Sequence, residues 1–318
     1  MGKMNNSNAR LSFVIPCYGS EKTIEKVINE IEQTVEGKNP YEIICVNDCS
    51  PDNVYEVLKN LALTHKNLKV VCLAKNYGQH NALMAGYRHV TGDIIISLDD
   101  DGQTPPSECY KLIDAIDDEH DIIYAKYADI KHSPFRRLGS DAAKQMGVIL
   151  CDIPKHVFTS SYFAVKRFVI DEVVRYQNPY TYISGLFVRA TRKIGNVEVT
   201  HHQREVGRSG YSLKKLVGLM LNGFTAFSVK PLRFATVFGS VVASLGFLYA
   251  LFIVIRKIIR PEIAVGYSSL MCVLLVIGGI IMMMLGLIGE YLGRIYICMN
   301  NSPQYVIRET INIEENDN

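Results

Sequence analysis

This chain of 318 residues has no tryptophan, no CxxC pair, no strong excess of either charge and no apolar stretch at its start. Each absence excludes something. Without an indole, a motif such as Q-x-x-R-W cannot be present. Without CxxC pairs, the eight cysteines (17, 45, 49, 72, 109, 151, 272 and 298) spell neither a zinc ribbon nor a thioredoxin-like redox centre. Five of them fall in or beside strands and helices expected within the first 150 residues, which reads as reduced core or near-core thiols in a cytosolic domain. A net charge of +2 argues against nucleic acid as a partner, since such binders carry a marked basic excess. The polar opening MGKMNNSNAR runs straight into a strand, so no secretory signal peptide is expected.

What the chain does have is long apolar runs near its end. Phe234–Ile255 and Ile263–Gly289 contain no charged residue, and each exceeds the roughly 20 residues needed to cross a bilayer. The seven residues between them, 256–262, suffice only for a tight hairpin loop, and two spans leave both flanking segments on one side. Lys214, Lys215, Lys230, Arg233 and Arg294 favour that side as cytoplasmic, although Arg256, Lys257 and Arg260 in the loop weaken the bias. Glu290, Tyr291 and Arg294 form an interfacial belt at the end of the second span. Upstream, Tyr211–Phe227 has apolar residues at helical spacing beside two lysines, which suits a helix lying in the interface or an ordinary amphipathic core helix.

Before the membrane segments, strand and helix patterns alternate, which predicts a parallel α/β sheet. Strands are expected at Leu11–Pro16, Tyr41–Val46, Leu68–Leu73, Asp93–Leu98 and Ile122–Ala125, with a last one at Val197–His201. Helices are expected from Ile24 to Gly37, over Val54–Leu61 with Ser50 as cap, and over Gln79–His89. Beyond Lys131 the pattern loosens, and Glu314–Asn318 reads as a disordered end to a tail.

The most informative stretch is Gly92–Pro106, GDIIISLDDDGQTPP, in which a buried-type strand runs into Asp99, Asp100 and Asp101. Open α/β sheets bind ligands at the carboxyl ends of their strands. Adjacent carboxylates repel, and a hard divalent cation relieves that repulsion; Mg²⁺ in particular pairs one or two carboxylates with substrate phosphates. The plain alternative, a solvated acidic turn, fits less well with an apolar strand before it and Gln103-Thr104-Pro105-Pro106 after it. Pro16-Cys17-Tyr18-Gly19 and Asn47-Asp48-Cys49-Ser50-Pro51-Asp52 end the first two strands and would line the same crevice. Asp48 suits either recognition of a base N–H or an Asx-turn or helix cap. His80 opens a helix, where it serves either a phosphate site or simple capping. His201 and His202 are neighbours on a strand and point to opposite faces, which argues against a metal pair.

These residues carry a resemblance. VIPCYGSEKTI, VNDCSPDN, NYGQHNALMAGYRHVTGDIIISLDDDGQTPP, THHQREVGRSGYSLKKLVGLM, FSVKPLR and GLIGEYLGRIY resemble, in order and over nearly the whole chain, the membrane-anchored polyprenyl-phosphate glycosyltransferases of family 2. Within that family the nearest types are bactoprenol-phosphate glucosyltransferases and undecaprenyl-phosphate aminoarabinose (formamido form) transferases. The resemblance implies a GT-A, Rossmann-like domain over residues 1–230, a two-helix hairpin over 231–299 and a cytoplasmic tail over 300–318. It implies inverting transfer of a sugar from a nucleotide diphosphate sugar, with UDP the expected nucleotide, to undecaprenyl phosphate at the cytoplasmic face of a bacterial inner membrane. Lipopolysaccharide or another cell-surface glycan would be the beneficiary, and a homo-oligomer or a flippase in the same pathway would be compatible partners.

By position, Asp99 and Asp101 would be the family's DxD, holding Mg²⁺ or Mn²⁺. Pro16, Tyr18, Glu21, Asp48 and Asp100 would hold the nucleotide sugar. Gln103 and the R-x-x-G-x-S-x-Y residues Arg204, Gly207, Ser209 and Tyr211 would belong to the active-site motifs. Arg204, Ser209, Tyr211, Arg136 and Lys126 would serve the acceptor phosphate. The chain departs from the family at Asn47, Gly102 and Gly210, and Tyr127, Ile130 and Phe163 stand where relatives carry arginines. That leaves Lys126, Lys131, Arg136 and Arg137 as the basic substitutes. Of two rival readings, a processive polysaccharide synthase would carry the missing Q-x-x-R-W. A non-catalytic scaffold would not need an intact aspartate cluster.

Overall fold

The computed structural model describes residues 8–127, 148, 153–200, 230–259, 266–300 and 302–313. The chain divides into two units, Met1–Leu216 together with Ser302–Asn318, and Val217–Asn301.

The first unit is built on an eight-stranded sheet in the order β7-β5-β6-β4-β1-β2-β3-β8. Its centre is the parallel set β1 (Leu11–Cys17), β2 (Tyr41–Asn47), β3 (Leu68–Leu73) and β4 (Ile94–Ser97). Each of these strands alternates its side chains between two covered faces, which is why they read as continuous apolar runs. Leu11, Phe13 and Ile15 of β1 pack with Ile24, Val27, Ile28 and Ile31 of α1 (Ile24–Val35). On the other face, α3 (Gln79–Tyr87) lies against β1 and β2 so closely that a Cβ added at Gly86 would stand 2.5 Å from Val14 Cγ1. Glycine is what permits that approach. Pro16 fits a central strand because β1 pairs with β4 only as far as Val14, so its missing N–H falls beyond that ladder.

Most expected elements are present with small boundary shifts, including α2 (Val54–Thr64), β5 (Ile122–Tyr127) and β7 (Ile194–Val199). The sheet is mixed rather than wholly parallel: β6 (Phe163–Lys166) runs antiparallel between β4 and β5, and β8 (Ile307–Ile311) antiparallel along β3. Among the described residues, this unit also has the short helices α4 (Cys109–Asp114), α5 (Arg167–Val173) and α6 (Ile183–Ala190). Ser50 does not cap α2. Asn53 occupies the cap without a side-chain bond, and the Ser50 hydroxyl donates to Asp52 Oδ1 (2.5 Å) and accepts from the Gly19 N–H (2.8 Å). Cys17, Cys45, Cys49, Cys72, Cys109 and Cys298 are free thiols.

The second unit contains α7 (Lys230–Ile259) and α8 (Tyr267–Met299). Among the described residues, Val276–Met299 is a segment long and apolar enough to cross a membrane, while α7 carries a shorter apolar run, Ala235–Tyr249. Phe247, Leu248 and Met282 are exposed. After these helices the chain rejoins the sheet as β8, where the sequence pattern predicts only a tail.

Candidate active site

The order β4-β1-β2-β3 reverses direction at β1, so the carboxyl ends of β1 and β4 flank a topological switch point. Three loops meet there. From β1, the Tyr18 N–H donates to Asp100 Oδ2 (2.9 Å) and Thr23 Oγ1 to the Asp100 backbone oxygen (2.6 Å). From β2, Asp52 Oδ2 accepts from the Glu21 N–H (2.9 Å), and Glu21 Oε2 accepts from the Asn53 N–H (3.3 Å). Asp48 accepts from the Tyr77 and Gly78 N–H groups (2.7 and 2.8 Å), which ties the end of β2 to the entry of α3. Gly78 and Gly102, at φ +84° and +72°, supply the left-handed corners these loops need.

The aspartates divide their work. Asp99 Oδ1 accepts from Gln79 Nε2 (2.9 Å), and its Oδ2 accepts a short hydrogen bond from Ser161 Oγ. Asp101 Oδ1 accepts from the N–H of Gln103 (3.0 Å), which closes the turn. Burial, joined by the neighbouring Asp99 and Asp101 carboxylates, raises the Asp100 pKa to about 6. Like charges this close call for a counter-cation. Among the described residues, no group of three or more His, Cys, Asp or Glu side chains forms a closed metal cage. Two carboxylates with open coordination suit a cation that takes its other ligands from water and diphosphate oxygens, so the residues present fit Mg²⁺ or Mn²⁺.

Those expected site residues that are described occupy the following positions. Tyr18 is 54% exposed just after β1. Pro16 is buried within β1. Asp48 is buried, and burial raises its pKa despite its two backbone donors, so its oxygens already brace the α3 entry. Glu21 and Asp100 brace loops in the same way. His80 packs edge-on against the Tyr182 ring (5.4 Å), and burial lowers its pKa to about 4, which keeps the imidazole neutral. Lys126 reaches Glu198 across the β5–β7 ladder (3.2 Å) on an exposed surface. Arg136, Arg204, Ser209 and Tyr211, with His201, His202 and the expected helix Tyr211–Phe227, lie outside the described residues.

Sequence pattern alone did not single out Gln79 or Ser161 as partners of Asp99, because tertiary folding brings them there from α3 and from the stretch before β6. Burial first, then the Asp99 and Asp101 carboxylates, raise the pKa of Tyr127.

The model of glycosyl transferase family 2 matches residues 12–174, and that of the GtrB C-terminal hairpin matches 230–295. The chain is 34% identical over 316 residues to an undecaprenyl-phosphate 4-deoxy-4-formamido-L-arabinose transferase of Enterobacter sp. (strain 638), covering 95% of this chain and 94% of that one. It is 30% identical over 307 residues to an uncharacterized glycosyltransferase of Bacillus subtilis (strain 168), covering 95% and 94%. Its fold is similar to that of glucosyl-3-phosphoglycerate synthase from Mycobacterium tuberculosis in complex with Mn²⁺ and uridine-diphosphate-glucose. That match has a TM-score of 0.51 and 19% identity, over 67% of this chain and 76% of that one.

Proposed function

The chain belongs to glycosyltransferase family 2 and carries a GtrB-type C-terminal hairpin, and from this premise we propose that it transfers a sugar from a nucleotide diphosphate sugar to undecaprenyl phosphate at a membrane surface. The observation that carries the reading is the Asp99–Asp101 turn at the β1/β4 switch point, laced to the loops that would hold a nucleotide.

A phosphate monoester has a second pKa near 6, so a lipid phosphate is largely dianionic at neutral pH and needs no strong base to attack the sugar C1. Its oxygen forms the new bond on one face while the bond from C1 to the diphosphate oxygen breaks on the other, which inverts the centre. Asp99 and Asp101 would hold Mg²⁺ or Mn²⁺, which supplies Lewis-acid stabilisation to the departing diphosphate. Gln79 and Ser161 fix the Asp99 carboxylate, while Tyr18 offers a face to the nucleotide. Asp48, Glu21 and Asp100 act by holding the loops, and Gln103 closes the turn. Arg204 is proposed for the acceptor phosphate, because a guanidinium gives bidentate contacts to phosphate, and Ser209, Tyr211 and Arg136 are proposed for the same role. We assign the sheet domain to the cytoplasm and two crossings to α7 and α8, since a strand that follows them returns to the sheet begun before them.

A panel of sugar nucleotides, offered with undecaprenyl phosphate to membranes holding the full chain, tests the reading. One nucleotide sugar is expected to turn over, EDTA to stop it, and Asp101→Asn to reduce it by about two decades or more, as loss of a metal ligand should. Full activity in EDTA would remove the metal role, and no turnover of any donor would remove the function.

A further inference from the structure

The segment after the hairpin does more than supply an edge strand. Gln304, 5% exposed, donates from Nε2 to the backbone oxygen of Asn178 (3.1 Å) and to Thr181 Oγ1 (2.7 Å). Those contacts close the turn before α6. The same turn rests on the start of α3: Asn81 Nδ2 donates to the Pro179 oxygen (3.2 Å), and the Tyr182 ring meets His80. In that same first turn of α3, Gln79 donates to Asp99. Direct contacts therefore run unbroken from Gln304 to a carboxylate of the candidate metal site.

We infer that Gln304 is a positioning residue that holds the 178–182 turn against α3 and thereby fixes the Gln79 amide on Asp99. The α3 entry needs such a brace. Gly78 immediately before it sits at φ +84°, a corner only glycine adopts freely, and Asp48 anchors just one side of it through the Tyr77 and Gly78 N–H groups. A long side chain such as Gln79 orients a carboxylate only as well as its own backbone is fixed. Elsewhere, residues after the hairpin are held by other contacts: Ala74 N–H donates to the Val306 oxygen (2.9 Å), and Asn312 Nδ2 to the Ala62 and Leu68 oxygens (2.9 Å each). Of these contacts, the one made by Gln304 leads to the site.

The inference rests on the metal role proposed for Asp99, and the experiment separates the two. Full-length protein in nanodiscs is titrated with Mn²⁺ in the presence of UDP, GDP or dTDP, free Mn²⁺ being read by electron paramagnetic resonance alongside melting temperature. Outer-shell partners change metal affinity by about 10–100-fold, so Gln79→Met should weaken Mn²⁺ binding by at least about tenfold and Gln304→Met, one step removed, by about three- to tenfold. The double variant should bind no worse than the weaker single one, because both act through one contact. Asn312→Ala should lower the melting temperature and leave Mn²⁺ affinity unchanged. Thr181→Val, which removes the shorter of the two Gln304 contacts from its other side, covers the case in which Gln304→Met fails to fold. Unchanged Mn²⁺ affinity in Gln304→Met or Thr181→Val, or fully additive effects with Gln79→Met, would overturn the inference alone. Mn²⁺ binding that survives Asp99→Asn, or that no diphosphate supports in the parent protein, would overturn the proposed site and the inference with it.

Discussion

At the scale of single residues, this protein shows what a buried carboxylate requires. Glu42 lies at the amino ends of the strands, far along β2 from the site, and is 1% exposed. Its oxygens accept from Ser12 Oγ, the Thr91 N–H and hydroxyl, and Lys69 Nζ at 2.5 to 2.9 Å. Burial alone would raise its pKa, but the bonds from Lys69, Ser12 and Thr91 outweigh burial and hold it below the ordinary 4.5. A depressed folded-state pKa gives stability that is fully present above the unfolded value and is lost as pH falls through the folded one. Glu42→Gln should therefore cost about 2 kcal/mol at neutral pH, the scale of a charge-assisted hydrogen bond. The gap to the parent should narrow as pH drops below 4.5. Melting curves at stepped pH check this, and a gap constant down to strong acid would contradict it. Nothing in the sequence pattern marks Glu42, since its partners come from β1, β3 and the approach to β4. Asp99 and Asp101 were legible because strand and cluster are adjacent in the chain, while Gln79 and Ser161, at 20 and 62 residues' separation from Asp99, were not.

At the scale of elements, α3 links the core to the chemistry. Its middle is pressed onto β1 and β2 at Gly86, and its first turn carries Gln79, His80 and Asn81. A methyl group at Gly86 would meet Val14 Cγ1 at 2.5 Å and Val46 Cγ2 at 3.1 Å, both on rigid β-branched side chains within the sheet. Gly86→Ala should thus lift the helix, cost about 1–3 kcal/mol as overpacking does, and reduce turnover along with the melting temperature. A variant with parental stability and turnover would show that the sheet yields at no cost. The parallel strands were readable because burial on both faces leaves unbroken apolar runs. The antiparallel strands were not. β6 has four residues, and β8 sits at the edge with Arg308 and Glu309 exposed, a pattern that reads as a polar tail.

At the scale of the whole molecule, one sheet is built from chain on both sides of the α7–α8 hairpin. If α7 and α8 both cross the bilayer, a cysteine introduced at Ile259 should react with an impermeant thiol reagent from the periplasmic side. One at Ile313 should react only after the cytoplasmic face is opened, with native cysteines replaced in both cases. Reaction of both from one side would leave no room for a two-span hairpin. The place of β8 also sets an order of manufacture. A ribosome delivers β1 through β7 first, then the apolar helices, and only afterwards the strand that covers the free edge of β3. Until β8 has been made, that edge is unpaired and able to pair wrongly. If both helices cross the bilayer, a molecule whose far end is left on the other side cannot pair β8 with β3, so closure of the sheet would depend on correct insertion.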